Sequence, residues 1–203
     1  MSKACLLAAV CALALLAQGS VAARGAPDSF GRANAMPGAK LLYNQNSDGN
    51  GSFVLSQNFT SGNDAAADDF VVPKKREWTI GEVDVTGVYF NGSGPATSES
   101  VTFYSNNDGL PGKPVKGGSF TGLKGTDNDG SFAIKLPRKG LKLKAGHYWV
   151  SVGANCSLDC GEWGWEETDT IHGYQAVWES GGAAWEPLGA DLLFDLRGKR
   201  RRD

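Results

Sequence analysis

GHYWVSVGANCSLDCGEWGWEETDTIHGYQAVWE, residues 146–179, is the most informative stretch of this chain. It opens with alternating apolar and polar residues and continues through a short loop between Cys156 and Cys160. The stretch also contains four of the six tryptophans, at 149, 163, 165 and 178. Alternation with a period of two is typical of a β-strand with one buried face. So many large aromatic residues beside a cross-linked turn predict either part of a core or a binding face.

Trp163 and Trp165 are separated by one residue, so they share a face in an extended segment. If that face is outward, the two rings form a platform for a sugar, and the neighbouring Glu162 and Glu166 accept hydroxyl hydrogen bonds. If it is inward, the rings belong to the core. We take Trp163, Trp165, Glu162 and Glu166 as the predicted ligand-binding residues, with core packing of the tryptophans as the alternative.

The rest of the chain after Lys40 consists of short apolar runs separated by Gly, Asn, Asp and Pro, with 28 glycines in all. Frequent β-branched and aromatic residues fit many short strands. No window shows a helical stripe sustained over three turns. The sequence therefore predicts an all-β chain, a two-sheet antiparallel sandwich of jelly-roll-like form with about ten strands.

Two local features of the predicted strands can be checked directly. In the longest one, residues 78–90, Trp78 and Ile80 point one way, and Val83 continues the alternation in the other phase after Gly81. A phase change at a glycine predicts a β-bulge. A shorter strand, residues 70–72, is expected to end at Pro73, since proline suits a strand edge.

The N-terminal residues 1–23 have the form of a secretory signal peptide: one lysine, an apolar run and a small-residue cleavage site. The apolar run, residues 4–17, is shorter than the roughly 20 residues that span a bilayer, so no membrane span is predicted. We expect a secreted protein, extracellular or, in a Gram-negative host, periplasmic.

The remaining residues divide into three predicted segments. Residues 24–39, rich in Gly, Ala and Pro, are expected to form a flexible leader. Residues 40–197 are the predicted sandwich domain, and residues 198–203 a basic tail. We interpret that tail as solvated, with contact to an anionic surface as the alternative. The formal net charge of −2 argues against a nucleic-acid partner, which requires a concentrated basic face.

Cys156 and Cys160 are the cysteines that remain after processing, because the other two lie within the signal peptide. An even pair in a secreted protein predicts a disulfide. The alternative is a zinc site completed by His147 or His172, but the repeated cysteine spacing typical of thiolate sites is missing.

The familiar enzyme motifs, such as G-x-S-x-G and H-E-x-x-H, do not occur in the sequence. Glu162, Glu166 and Glu179 each adjoin a tryptophan, and glycoside hydrolysis uses two carboxyl groups about 5 to 10 Å apart. Alternating Trp and Glu also results from a strand with one buried and one wet face. We therefore expect a non-enzymatic protein, with a glycosidase-like enzyme as the second hypothesis and a purely structural surface protein as the third.

No cofactor is predicted, and calcium is the alternative. Asn44-x-Asn46-x-Asp48-Gly49 resembles the start of an EF-hand loop, which has oxygen ligands at alternate positions and glycine at the sixth. Position twelve would be Leu55, which supplies no ligand. Asn and Asp before Gly are also ordinary turn formers.

Several blocks of the sequence follow one pattern: AADDFVVP (66–73), WTI-x-x-V-x-V (78–85), VTFY (101–104), GLPG (109–112), L-x-AG-x-YWVSV (143–152) and WGW (163–165). Together they resemble a recurrent module of secreted bacterial proteins, and the resemblance spans residues 40–196. It implies a jelly-roll sandwich and export, and it carries over no catalytic residues. Similar modules occur alone, beside secreted proteases or ahead of surface-anchoring tails. We expect an accessory or binding module that contacts extracellular or cell-surface polysaccharide.

Overall fold

The computed structural model describes residues 38–59, 62–137, 139–157 and 159–202. The predicted signal peptide and residues 24–37 of the predicted leader lie outside this part. Every regular element in the described ranges is a β-strand. Among these residues no helix is long and apolar enough to cross a membrane.

The described residues form fifteen strands, more than predicted, because several are only two or three residues long. They are β1 Lys40–Gln45, β2 Phe53–Leu55, β3 Gln57–Phe59, β4 Gly62–Val85, β5 Gly87–Phe90, β6 Ser98–Asn107, β7 Leu110–Leu123, β8 Thr126–Asn128, β9 Ser131–Lys135, β10 Leu141–Asn155, β11 Glu162–Thr168, β12 Val177–Ser180, β13 Glu186–Pro187, β14 Asp191–Leu192 and β15 Phe194–Arg202.

The strands form two sheets. The large sheet has eleven strands, with the central order β1-β15-β4-β3-β10-β6-β7, and β9 and β12 also pair with β4. The small sheet has four strands, in which β11 pairs with β14, β2 and β5. All pairings are antiparallel except that of β10 with β3. This confirms the predicted all-β, two-sheet, sandwich-like fold.

β4 is the central strand of the large sheet, and it contains the predicted bulge. Its register with β15 passes from Glu82 opposite Arg197 to Ile80 opposite Gly198, so Gly81 is the extra residue. The bulge brings the two backbones close together. A Cβ on Gly198 would lie 2.0 Å from the carbonyl oxygen of Thr79, so only glycine fits there.

The expected strand end at Pro73 is wrong, because β4 continues through it. The register with β10 passes from Val72 opposite Gly146 to Glu77 opposite Lys144, so residues 73–76 have no regular partner on β10. The missing N–H of Pro73 therefore interrupts no hydrogen bond of this ladder.

The core lies between the two sheets and is strongly aromatic. The alternating strand residues that face inward supply its largest fully buried side chains: Phe70, Phe103, Phe132, Trp163, Trp165 and Phe194. The rings of Phe132 and Trp163 stack with centroids 5.0 Å apart, and those of Phe70 and Phe103 meet edge to face at 6.1 Å. Such pairs contribute about 0.5–1.5 kcal/mol each beyond the burial of their area.

Residues 198–202, predicted as a tail, instead belong to β15. Arg200 lies opposite Trp78 and Arg202 opposite Arg76, so the strand stays paired with β4 to its end. The local charge gave no sign of this, because the pairing partner is more than a hundred positions away in the sequence.

The predicted disulfide between Cys156 and Cys160 is present, with Cα atoms 5.3 Å apart. It closes the loop between the end of β10 in the large sheet and the start of β11 in the small sheet. The cross-link therefore fixes the point at which the chain crosses from one sheet to the other. Because both sulfurs are used in this bond, neither cysteine is available as a thiolate ligand for zinc.

Candidate functional site

The inner face of β11 carries Trp163 and Trp165, and both side chains are 0% exposed. The indole N–H of Trp163 donates to the carbonyl oxygen of Gly130 (2.7 Å), and that of Trp165 to the carbonyl oxygen of Leu193 (2.8 Å). Each ring is thus fully packed with its one polar group satisfied. The core alternative is correct for this pair, and neither ring has a free surface on which a sugar could stack.

The outer face of β11 carries the residues that alternate with the tryptophans. Glu166 lies opposite Phe53 on β2, and Glu162 lies opposite Phe90 on β5. Gly164 lies between these two pairs on the central strand. We call this set, Phe53, Phe90, Glu162, Gly164 and Glu166, the β11 outer face.

Gly164 allows the aromatic side chains of the β11 outer face to lie close to the sheet. A Cβ at this position would be 2.8 Å from the Cβ of Phe53 and 2.9 Å from Cε1 of Phe90. Any larger residue would therefore displace one of them. Phe53 is 38% exposed and Phe90 half-buried, so the result is a flat apolar strip that solvent can reach.

Polar groups lie beside both phenylalanines. The carboxylate of Glu162 accepts a hydrogen bond from the side-chain amide of Asn91 at 2.5 Å. Glu166 is half-buried beside Gly49, and this burial raises the pKa of its carboxyl group. A hydrogen bond from the backbone of Gly51 offsets part of this increase. Each carboxylate has two oxygens and can accept further hydrogen bonds from a ligand.

The three glutamates proposed for glycoside hydrolysis are not brought together as a pair. Glu162 and Glu166 are four residues apart on one strand, which separates their Cα atoms by about 13 Å. Their carboxyl groups also have different neighbours, since that of Glu162 is held by Asn91 and that of Glu166 lies beside Gly49. Glu179 lies on β12, in the other sheet. Each carboxylate of the β11 outer face therefore has its own surroundings and can accept hydrogen bonds from a ligand.

A second polar cluster, on the large sheet, was not anticipated. Asp69 on β4 is buried and hydrogen-bonds to Nε2 of His147 on β10, and the ring of Tyr174 stacks on that imidazole with centroids 4.9 Å apart. A histidine held by a buried aspartate is half of a general-base arrangement. Among the described residues no serine, threonine, cysteine or lysine side chain hydrogen-bonds to His147. The one sequence signal was the Asp68–Asp69 pair within an otherwise apolar strand.

The buried carboxylates of this cluster anchor the loop that precedes β12. The backbone N–H of His172 donates to Asp191 (2.6 Å), and that of Tyr174 donates to Asp69 (2.8 Å). Burial raises the pKa of Asp191 to about 6, although hydrogen bonds from the backbones of His172 and Ala176 act to lower it. The polar pocket beside His172 has a volume of about 120 Å³. Ligand pockets usually measure about 300–1,000 Å³, so this cluster has the character of a structural anchor.

The loop that resembled an EF-hand uses its asparagines for hydrogen bonds within the fold. The side-chain amide of Asn44 donates to Asp195 (2.8 Å), and the side-chain oxygen of Asn46 accepts from the hydroxyl of Thr86 (2.6 Å). Within the described ranges, no group of three or more His, Cys, Asp or Glu side chains is arranged to hold a metal ion.

No protein-family model matches this chain, and neither does any curated protein. The candidate site is therefore chosen from geometry alone, and among the described residues the β11 outer face is the best supported. It keeps two of the four predicted ligand-binding residues, Glu162 and Glu166. It replaces the two tryptophans with Phe53 and Phe90, which lie far from them in sequence and beside them in space.

Proposed function

We propose that this protein is a secreted, non-enzymatic accessory module that binds extracellular or cell-surface polysaccharide through the β11 outer face. The observation that carries the proposal is the exposed Phe53 packed over the buried Gly164, with a carboxylate opposite each phenylalanine of the face. Aromatic rings stack on the apolar faces of pyranoses, while carboxylates and amides accept their hydroxyl hydrogen bonds.

The shape of the β11 outer face favours a polymer over a small molecule. It is a strip on an open sheet surface rather than a concave pocket, and the Cα atoms of Glu162 and Glu166 are about 13 Å apart along it. A ligand that reaches both carboxylates must be extended. An oligosaccharide segment of a longer chain meets this requirement, and its alternating apolar faces and hydroxyl edges match the phenylalanines and glutamates.

Export and a role at the cell surface are supported by the signal-peptide pattern and by the resemblance to modules of secreted bacterial proteins. The disulfide is consistent with an oxidising compartment. A glycosidase activity is not proposed, because Glu162 and Glu166 have different neighbours and Glu179 lies in the other sheet.

The proposal is tested with an array of neutral glycans and polysaccharides. We expect the wild type to bind at least one of them and Phe53→Ala to bind it about tenfold more weakly, the loss of roughly one well-packed aromatic contact. Leu110→Ala is the matched control, because Leu110 is 37% exposed and Phe53 is 38% exposed, and Leu110 lies on β7 of the other sheet. Glu162→Gln and Glu166→Gln should each weaken binding less than Phe53→Ala.

Two results would contradict this function. The first is a wild type that binds no glycan, or that binds no better than Phe53→Ala. The second is the appearance of new reducing ends when the wild type is incubated with the polysaccharide that it binds, since this would show catalysis.

A further inference from the structure

A cleft at the edge of the large sheet is lined almost entirely by cationic side chains. Its volume is about 450 Å³, and six of its seven lining residues are basic: Lys40, Arg76, Lys199, Arg200, Arg201 and Arg202. The seventh is Gly38. We call this the basic cleft. Four of these six cations were anticipated as part of a basic tail, and Lys40 and Arg76 were not connected with them.

The fold, rather than the sequence, concentrates this charge. β15 lies between β1 and β4, so Lys40 falls opposite Gly198 and Arg202 falls opposite Arg76. Along the strand, residues two apart share a face at a spacing of about 6.6 to 6.8 Å. Arg200 and Arg202 thus form one such pair, and Lys199 and Arg201 form another.

The charge of the basic cleft is not balanced within the described residues. The chain as a whole has 20 Lys and Arg against 22 Asp and Glu, yet no acidic residue lines the cleft. The ion pairs in the described part involve His147, His172 and Arg197, and none of the six cleft cations takes part. Glu77 lies opposite Arg201 on β4 without forming an ion pair with it. The like charges of the cleft therefore exceed the nearby negative charge and repel one another, and a bound polyanion would relieve this repulsion.

We infer that the basic cleft binds an anionic segment of a polysaccharide through its carboxylate or sulfate groups. Arginine predominates, and its planar guanidinium matches such oxyanions with two parallel hydrogen bonds. The volume lies in the range of ligand-binding clefts, about 300–1,000 Å³, and admits one narrow chain. A nucleic-acid duplex or a bilayer presents a broader surface than this cleft can enclose. That the ligand is a polysaccharide rests on the proposed function, whereas its negative charge is inferred from the cations of the basic cleft.

The test compares charged and uncharged polymers by calorimetric titration. The sulfate arm uses dextran sulfate against neutral dextran, and the carboxylate arm uses polygalacturonate against its methyl ester. We expect at least one anionic polymer to bind about tenfold or more tightly than its neutral counterpart. Raising the salt from about 0.1 M to 1 M shortens the screening length from roughly 10 to 3 Å and should weaken this binding strongly.

Matched variants test whether the cations of the basic cleft are responsible for binding the anionic polymer. Arg200→Ala combined with Arg202→Ala should lower the affinity for the anionic polymer about tenfold or more, since it removes two charge-assisted contacts. Lys113→Ala combined with Lys116→Ala changes the net charge equally on β7, at the opposite edge of the large sheet, and should leave the affinity unchanged. Arg200→Lys combined with Arg202→Lys keeps the charge and should bind with intermediate affinity. Thermal unfolding of each variant confirms that it is folded.

Three results would overturn the inference. One is equal binding of the charged and neutral polymers, or no binding of either. Another is an equal loss in the Lys113 and Lys116 control. The last is tighter binding of a DNA duplex, or of vesicles containing phosphatidylserine, than of the anionic polysaccharide. Phe53→Ala separates the two proposals, because it should weaken neutral-glycan binding about tenfold while leaving the charge-dependent binding at the basic cleft unchanged.

Discussion

The two faces of β11 are built from alternating residues of one short segment, yet they have opposite roles. The inner face buries Trp163 and Trp165 and satisfies both indole N–H groups with backbone carbonyls. The outer face leaves Phe53 exposed beside Gly164 and carries charged groups. Alternation in a sequence therefore shows which residues share a face, but not which face the second sheet will cover.

The difference between the two faces leads to expectations that can be measured. We expect substitutions on the inner face to lower stability and substitutions on the outer face to act mainly on binding. The four variants or conditions below are ordered by the size of the expected effect on the free energy of unfolding.

Trp163→Ala should lower the free energy of unfolding by about 3–5 kcal/mol, as is usual for a buried aromatic replaced by alanine. It removes the stacking with Phe132 and leaves the carbonyl of Gly130 without its donor. Urea denaturation measures the change. Phe53→Ala, on the other face, should change the same quantity by less than about 1 kcal/mol. Equal losses in the two variants would abolish the distinction between the faces.

Replacing both Cys156 and Cys160 with serine should lower the free energy of unfolding by about 2 kcal/mol, as chain entropy predicts for so short a loop. The bond fixes where β11 begins, so both faces depend on it. The check is denaturation of the variant alongside the wild type with and without reductant. Under reducing conditions the wild type should behave as the variant does, and a persistent difference would point to the serines themselves.

Gly164→Ala should cost about 1–3 kcal/mol, because the added Cβ meets Phe53 and Phe90 at less than 3 Å and overpacks the outer face. Gly62→Ala is the matched control, since a Cβ there meets nothing within 4 Å. Thermal unfolding of both variants measures the contrast. Should the two behave alike, the outer face is looser than described, and its phenylalanines can move aside.

The pH dependence of stability should reveal the buried carboxylate at the far end of β11, where Asp191 pairs with Thr168. Burial raises the pKa of Asp191 from 3.8 to about 6, so folding favours its protonated form. Its contribution to stability is complete below about pH 4 and is lost as the pH rises through 6. The unfolding midpoint should therefore fall between pH 4 and 7.

Asp191→Asn should make this dependence less steep, because the amide cannot ionise. Some dependence should remain, because burial also raises the pKa of Asp195 to about 6. Asp48→Asn, at an exposed position, should leave the slope as it is in the wild type. The same slope in Asp191→Asn as in the wild type would show that Asp191 does not contribute to the pH dependence.

Local patterns accounted for much of the fold. The period-two alternation predicted all-β structure, the phase change predicted the bulge at Gly81, and the pair of cysteines left after processing predicted the disulfide. Each of these depends on residues close together in the chain. The length of β4 was missed because Pro73 falls at an irregular segment that tolerates it.

The candidate sites depend on pairings between distant strands, which no local pattern contains. Phe53 meets Glu166 only because β2 joins β11, and Arg76 meets Arg202 only because β15 joins β4. Glu162 and Glu166 were chosen for the tryptophans beside them in the sequence, and in the fold they lie opposite Phe90 and Phe53. The aromatic surface was predicted at the tryptophans, because large aromatic residues are equally suited to a core and to a platform.

The position of β15 has a consequence for when the protein can assemble. It comes last among the described strands, yet it lies inside the large sheet, where β1 pairs with it and it pairs with β4. A nascent chain that has emerged only as far as β14 therefore has no partner for β1 and an open ladder along β4. The large sheet cannot be completed until β15 has been synthesised, so β1 and the β4 ladder both depend on a strand more than a hundred residues later in the chain.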